Sequence, residues 1–333
     1  KFVKNMKNKY RLLSLLAVLI GFSACNDEWK DEQFEHYVSF KAPLDSKGVS
    51  QINIRYKPDG QVTYQLPLIV SGSTTNATDL TVGVAVDPDT LATLNTERFQ
   101  SRTDLYYREL NSTFFTMPAT VNIKAGENTA LLNIDFTLGD IDLVDKWMLP
   151  LTITDDPASG YVANPRKHYK KALLRVMPFN DYSGIYSGTA LKTFLKGYEN
   201  DAAIVKSEVP VYVVDENTVF FYAGTVDESR IDRRNYKIYA AFDRQTKTVT
   251  LTAEDPNIDF HVNGTPVFVV EETMDAVRPY LLHRYVTVSK IDYSYTDYTA
   301  VPNASISYTV RGSLILERKI NTQIPDEDQA IEW

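Results

Sequence analysis

The chain has one cysteine, four histidines and three tryptophans in 333 residues. A single cysteine excludes an intramolecular disulfide and any paired-cysteine metal site, so the fold must stand on its core. The histidines, His36, His168, His261 and His283, are scattered and lack the spacing of metal ligands. HExxH, GxSxG, P-loop and GxGxxG signatures are all missing. No cofactor, no metal and no catalytic residue is expected, and the chain reads as a non-enzyme. Glu254, Asp255, Glu271 and Glu272 are carboxylates of the type a glycosidase pairs across a cleft ~5–9 Å wide, but residue type alone reads as surface charge. Positive charge is also short. The formal net charge is -8, which argues against nucleic acid as a partner. The apolar run Leu12 to Phe22 is too short to cross a membrane as a helix, which takes ~20 residues.

That run has a recognisable setting. Lys7, Lys9 and Arg11 precede it, and Ser23, Ala24 and Cys25 follow. Basic head, apolar stretch and small-residue end are the layout of a signal peptide, here residues 1–24 with its start at Met6. Phe22-Ser23-Ala24-Cys25 resembles a bacterial lipobox, which implies cleavage before Cys25 and lipidation of its thiol. Asn26-Asp27-Glu28 resembles the acidic export signal of Bacteroidetes surface lipoproteins, which implies an outward-facing protein anchored in the outer membrane by lipid alone. Removing Lys1, Lys4, Lys7, Lys9 and Arg11 takes five positive charges from a net of -8, leaving about -13. Residues 25–35 read as the lipidated cysteine and a tether.

From His36 the apolar residues alternate or form short runs, predicting strands over 37–41, 51–56, 62–71, 80–87, 120–124, 130–137, 148–154 and 172–176. Pro58-Asp59-Gly60 and Ala125-Gly126-Glu127-Asn128 are turn signals between them. A short helix is predicted after Asp87, with Asp87 as cap, Pro88 in the first turn and Leu91 and Leu94 inward. Regular short strands with no βα alternation predict an antiparallel sandwich over residues 36–177. Leu66-Pro67-Leu68 and Leu149-Pro150-Leu151 echo each other, and each proline predicts an edge or bulge. With these motifs and the Ala125-Gly126 turn, the segment resembles an Ig-like domain of unknown function found at the N-terminus of Bacteroidetes surface lipoproteins from starch-utilisation-type glycan loci.

Met177-Pro178-Phe179-Asn180-Asp181 is the predicted domain boundary. Tyr182-Ser183-Gly184-Ile185-Tyr186-Ser187-Gly188 then opens a second strand system over residues 178–320, with strands over 184–194, 209–215, 218–223, 236–243, 248–253, 267–271, 285–295 and 305–317. These predict an all-β protein whose second half is an antiparallel β-barrel, with a second sandwich as the alternative. The opening resembles the lipocalin-like barrel domain that follows the Ig-like domain in these lipoproteins. Residues 321–333 read as a polar tail.

Thirteen of the 21 tyrosines fall at or after Tyr182. On an extended strand Tyr285, Tyr293 and Tyr295 share one face, with Tyr280 before them and Tyr298 after, and Val286 and Val288 opposite. With Arg284 and Asp292 they form a candidate ligand platform, since a sugar offers apolar C–H faces rimmed by hydroxyls. The same tyrosines also suit a barrel wall. Asp89-Thr90-Leu91 resembles a Bacteroidetes O-glycosylation site at Thr90. Together these features predict a cell-surface protein that holds polysaccharide or oligosaccharide beside outer-membrane transporter proteins. The alternatives are an adhesion or assembly protein that binds a protein partner, and a hydrolase whose site carries no recognised motif.

Overall fold

The computed structural model describes residues 32, 34–45, 48–58, 60–155 and 160–333. Cys25, Asn26, Asp27 and Glu28 lie outside the described residues. No helix among those described is long and apolar enough to cross a membrane.

The first half packs two sheets face to face. One has the order β10 (Val162–Ala163), β1 (Tyr37–Phe40), β3 (Val62–Val70), β8 (Thr129–Phe136), β6 (Phe115–Thr116). The other runs β2 (Ser50–Arg55), β11 (Lys171–Phe179), β9 (Lys146–Ile153), β4 (Leu80–Val86), β7 (Thr120–Ile123), with β5 (Tyr107–Glu109) also on β9. Alternation carries Leu66, Leu68, Leu132 and Ile134 from one sheet against Leu149, Leu151, Leu174 and Val176 from the other. Three pairings, β1–β10, β2–β11 and β5–β9, are parallel, so the sandwich is mixed rather than purely antiparallel. The expected helix, α1 (Pro88–Phe99), starts on Asp87, which accepts from the Thr90 N–H at 3.2 Å. It lays Leu91 and Leu94 on Met148 and Leu173, so β9 is buried on both faces.

Neither proline sits on an edge strand: Pro67 lies on β3 between β1 and β8, and Pro150 on β9 between β11 and β4. Each is tolerated because it faces the place where a neighbour ends. The Pro67 carbonyl accepts from Lys41, just past β1, and the Pro150 carbonyl from Asp87, just past β4. The N–H that proline lacks points to the same vacated side.

The second half is a ring. β12 (Gly184–Ser187), β15 (Glu208–Val213), β16 (Thr218–Tyr222), β17 (Lys237–Asp243), β18 (Thr248–Ala253), β20 (Val267–Met274), β21 (Leu281–Val301) and β22 (Ala304–Asn321) pair antiparallel in that order, and β22 pairs back with β12. Tyr186, Phe221, Phe242, Val288 and Leu314 fill the interior, leaving a cavity of about 20 Å³, room for about one water molecule. The space these side chains leave is too small for a sugar ring. β21 and β22 run on past it, carrying β13 (Leu191–Leu195), β14 (Ile204–Val205) and β19 (His261–Val262). The single strand expected over 184–194 is therefore two, broken at Gly188–Ala190.

Gly312 marks the place where β22 leaves β12 for β13. Its φ is +139°, and a Cβ there would stand 1.9 Å from the Ala190 carbonyl oxygen. Backbone cannot yield as a flexible side chain does, so Gly312→Ala is expected to destabilise by more than about 1 kcal/mol. Urea unfolding of the variant checks this, and an unchanged midpoint would contradict it.

Residues 321–333 are not a free tail. Asp326 caps the short helix α2 (Glu327–Ala330), β23 (Ile331–Glu332) pairs with β22, and Ala330 and Ile331 are buried with Phe179 and Ile320. The terminal Trp333 meets the Phe179 ring edge-on at 4.7 Å between centroids. The chain end is thus folded into the joint between the two halves.

Candidate functional site

The candidate tyrosine platform does not form. β21 carries a bulge between Val288 and Ile291, with Lys290 at φ +58°. An extra residue inverts the in–out alternation beyond it. Val286 and Val288 point inward before the bulge, and Ile291, Tyr293, Tyr295 and Asp297 point inward after it. Tyr293 and Tyr295 are 0% exposed. Their hydroxyls accept from the backbone of Gly224 and Thr225, each at 3.2 Å. Neither can meet a ligand.

The other candidates separate into three places. Tyr285 donates to Glu317 at 3.1 Å and stacks on His283, while Arg284 reaches Glu272 at 2.6 Å and Glu327 at 2.5 Å. Tyr280 is half-buried before β21, its carbonyl accepting from Thr322. Asp292 is paired with Arg311 at 3.0 Å and accepts from Asn263. Tyr298, at the far end, donates to Asp255 at 2.7 Å. Thr90 is buried, donates to Asp87 at 2.7 Å and accepts from the Lys171 ammonium. The Asp-Thr sequence is part of a helix cap, and the hydroxyl is closed to a glycan.

Near Tyr285, His283 reaches Glu317 at 2.6 Å and Asp275 at 3.0 Å. Both hydrogen bonds raise its pKa, Glu317 first. Its contribution to stability is full below the ordinary histidine value of ~6.5 and is lost as pH rises through the raised one. The melting-temperature gap between the parent and His283→Gln is therefore expected to shrink with rising pH. A gap constant from about pH 6 to 9 would contradict this.

A hollow with convergent aromatic, charged and amide side chains lies between the two halves. It measures about 330 Å³ and is lined by Gln51, Asn53, Arg175 and Phe179 from the sandwich side, and by Tyr212, Glu228, Arg318 and Trp333 from the ring side. A neighbouring hollow of about 510 Å³ shares Pro210 and Glu228 with it as lining. Two clamps hold the walls. Arg55 pairs with Asp181 at 2.7 Å and Asp328 at 2.5 Å while lying 4.5 Å over Phe179. Arg233, buried, donates across the joint to the carbonyls of Val144 and Asp104.

Inside the cleft Glu228 accepts from the Tyr212 hydroxyl and pairs with Lys146 at 3.0 Å, with Arg175 at 3.7 Å. Burial pushes its carboxyl up, but Lys146, Tyr212 and Arg175 outweigh that and hold it below the usual range. Arg318 is 5% exposed, donates to the carbonyls of Asn180 and Ser183, and lies 5.8 Å over the Trp333 ring. Burial lowers its pKa to about 10. An aromatic wall, two guanidinium groups, a carboxylate and two amides can grip a polar ring compound from several sides. Sequence reading missed all of these residues because they come from separate strands. The one signal was the end of the chain, where an Asp cap, Ala330-Ile331 and Trp333 are too apolar in part for a free tail.

A model of a domain of unknown function, DUF4973, matches residues 29–157, and a second model, described as a C-terminal domain, matches residues 170–315. A Bacteroides ovatus protein of unknown function is 46% identical, with a TM-score of 0.81 covering 89% of this chain and 100% of that one. A multidomain protein including DUF1735 from Bacteroides ovatus is 45% identical, also at TM-score 0.81, with 89% and 100% covered. An auxiliary nutrient binding protein from Bacteroides thetaiotaomicron is 44% identical, TM-score 0.80, with 90% and 100% covered. No curated protein matches.

Proposed function

The chain belongs to the family of these Bacteroides proteins, and from that premise we propose that it is a cell-surface lipoprotein that captures a glycan nutrient in the cleft between its halves. The observation that carries the reading is 44% identity over the whole of a protein named for auxiliary nutrient binding. The cleft supports it, because its exposed Trp333 offers a stacking face and Gln51 and Asn53 offer amides that a sugar ring uses.

In this reading the first half is an Ig-like spacer and the second a lipocalin-like barrel. Cys25 carries the lipid, and Asn26, Asp27 and Glu28 direct it outward in the outer membrane. The protein binds without turnover and works beside outer-membrane transporter proteins. Calorimetry against a polysaccharide panel tests the binding. Trp333→Ala is expected to weaken the positive interaction by about 10-fold or more, from loss of one stacking aromatic. Binding of no glycan, or binding indifferent to Trp333→Ala, would remove this reading. Release of reducing sugar from the bound glycan would replace capture by hydrolysis. An adhesion role has one observation in its favour, the exposed Leu195, Tyr198, Ile204 and Val205 on the β13–β14 hairpin. A stable outer-membrane protein partner, lost on Tyr198→Ser and independent of glycan, would favour it.

A further inference from the structure

We propose that the cleft takes its ligand by an acidic group, a uronic-acid carboxylate facing Arg175 and Arg318 with the sugar ring against Trp333. This rests on the reading of the cleft as a glycan site. Buried polar side-chain atoms are nearly always partnered in folded proteins. Among the described residues four are not: Ser50 Oγ, Asn217 Oδ1, Arg175 Nε and Arg318 Nε. Two of the four belong to Arg175 and Arg318, residues that line the same 330 Å³ hollow.

The charges are as underused as the donors. Among the described residues no carboxylate pairs with Arg318; its terminal nitrogen spends itself on the Asn180 and Ser183 carbonyls. Arg175 has only Glu228 at 3.7 Å, and Glu228 is held more closely by Lys146 at 3.0 Å and by Tyr212. A buried guanidinium with no carboxylate in direct contact is costly, since Asp181 acts on Arg318 without forming an ion pair with it, and a fitting anion offsets that cost. A neutral sugar hydroxyl would accept a hydrogen bond but leave the charge uncompensated. A carboxylate does both, with the stronger charge-assisted bond. The hollow has the size of a small-ligand site, and the aromatic rings of Phe179 and Trp333 stand beside Arg318 at 5.6 and 5.8 Å. The remaining acids of the lining are engaged elsewhere or lie at its edge. Glu317 points to the outer face, where it accepts from Tyr285, and Glu332 is exposed on the rim.

The test is calorimetry of the purified protein with oligogalacturonates and glucuronate-containing oligosaccharides, each against its carboxyl-reduced counterpart. At least one acidic probe is expected to bind about 10- to 100-fold more tightly than its reduced form, the span of one hydrogen bond to a charged group. Arg175→Met, at a half-buried position, and Arg318→Lys, which keeps the charge but not the fork, are each expected to erase most of that preference. Thermal melts of both variants show whether the fold is intact. Equal binding of acidic and reduced probes, binding of reduced probes alone, or a preference that survives both substitutions in folded protein would overturn the inference and leave glycan capture standing. Binding of no probe of either kind would overturn the inference, and glycan capture itself would fall only if the wider polysaccharide panel also failed to bind.

Discussion

Tyr295→Ala is expected to destabilise the protein by about 3–5 kcal/mol, the usual cost of deleting a large buried aromatic. Tyr295 is 0% exposed, stacks on Tyr308 at 5.3 Å and packs edge-on against Tyr236. Its hydroxyl accepts from Thr225, and its ring closes over Gly224 so tightly that a Cβ there would lie 2.5 Å from the hydroxyl oxygen. At roughly 2–4 °C per kcal/mol, the melting temperature should fall by roughly 10 °C. Tyr295→Phe keeps the ring and should cost only about 1 kcal/mol. Tyr285→Ala, on the outer wall, should stay within about 0.5 kcal/mol. The three variants, compared by urea unfolding, separate a core tyrosine from a surface one. Tyr295→Ala with parental stability would mean that the bulge at Lys290 does not turn this residue inward.

The second large effect lies one alternation further on. Asp297 is 1% exposed and is held by Arg230 at 2.5 Å, the Tyr236 hydroxyl at 2.9 Å and the Ala300 N–H at 2.9 Å. Burial pushes its carboxyl up, but Arg230, Tyr236 and the backbone donors outweigh that and bring it to about 2. Arg230→Ala removes the cation and leaves a buried carboxylate unpaired, at an expected cost of about 3–5 kcal/mol. Arg230→Met with Asp297→Leu removes both charges and should recover much of the loss. A depressed carboxylate contributes stability above its unfolded value of ~3.9 and loses it as pH falls toward 2. The parent should therefore lose its advantage over the double variant through that window. A single variant as stable as the parent at neutral pH would contradict this.

How much of this was legible in the sequence depends on the range of the interaction. The strand list, the Asp87–Pro88 helix start and the inward Leu91 and Leu94 are local matters, and alternation with capping chemistry reveals them. The bulge is local too, yet nothing in Val288-Ser289-Lys290-Ile291 announces it, since a lysine in left-handed backbone is uncommon. One missed residue inverted the reading of Tyr293 and Tyr295. Pro67 and Pro150 misled for a different reason: their tolerance depends on where another strand stops. The cleft was the least legible feature. Arg175, Glu228, Arg318 and Trp333 meet only because two domains dock and the chain end folds back into the joint, and no spacing encodes that.

The central claim is that ligand binds between the domains rather than on the tyrosine-bearing outer wall. A crystal structure of the protein with an oligosaccharide from the binding panel tests it most directly. The account predicts a sugar ring against Trp333 with polar groups on Arg175 and Arg318. A sugar seated instead on Tyr285 or Tyr198, with the interdomain hollow empty, would contradict it.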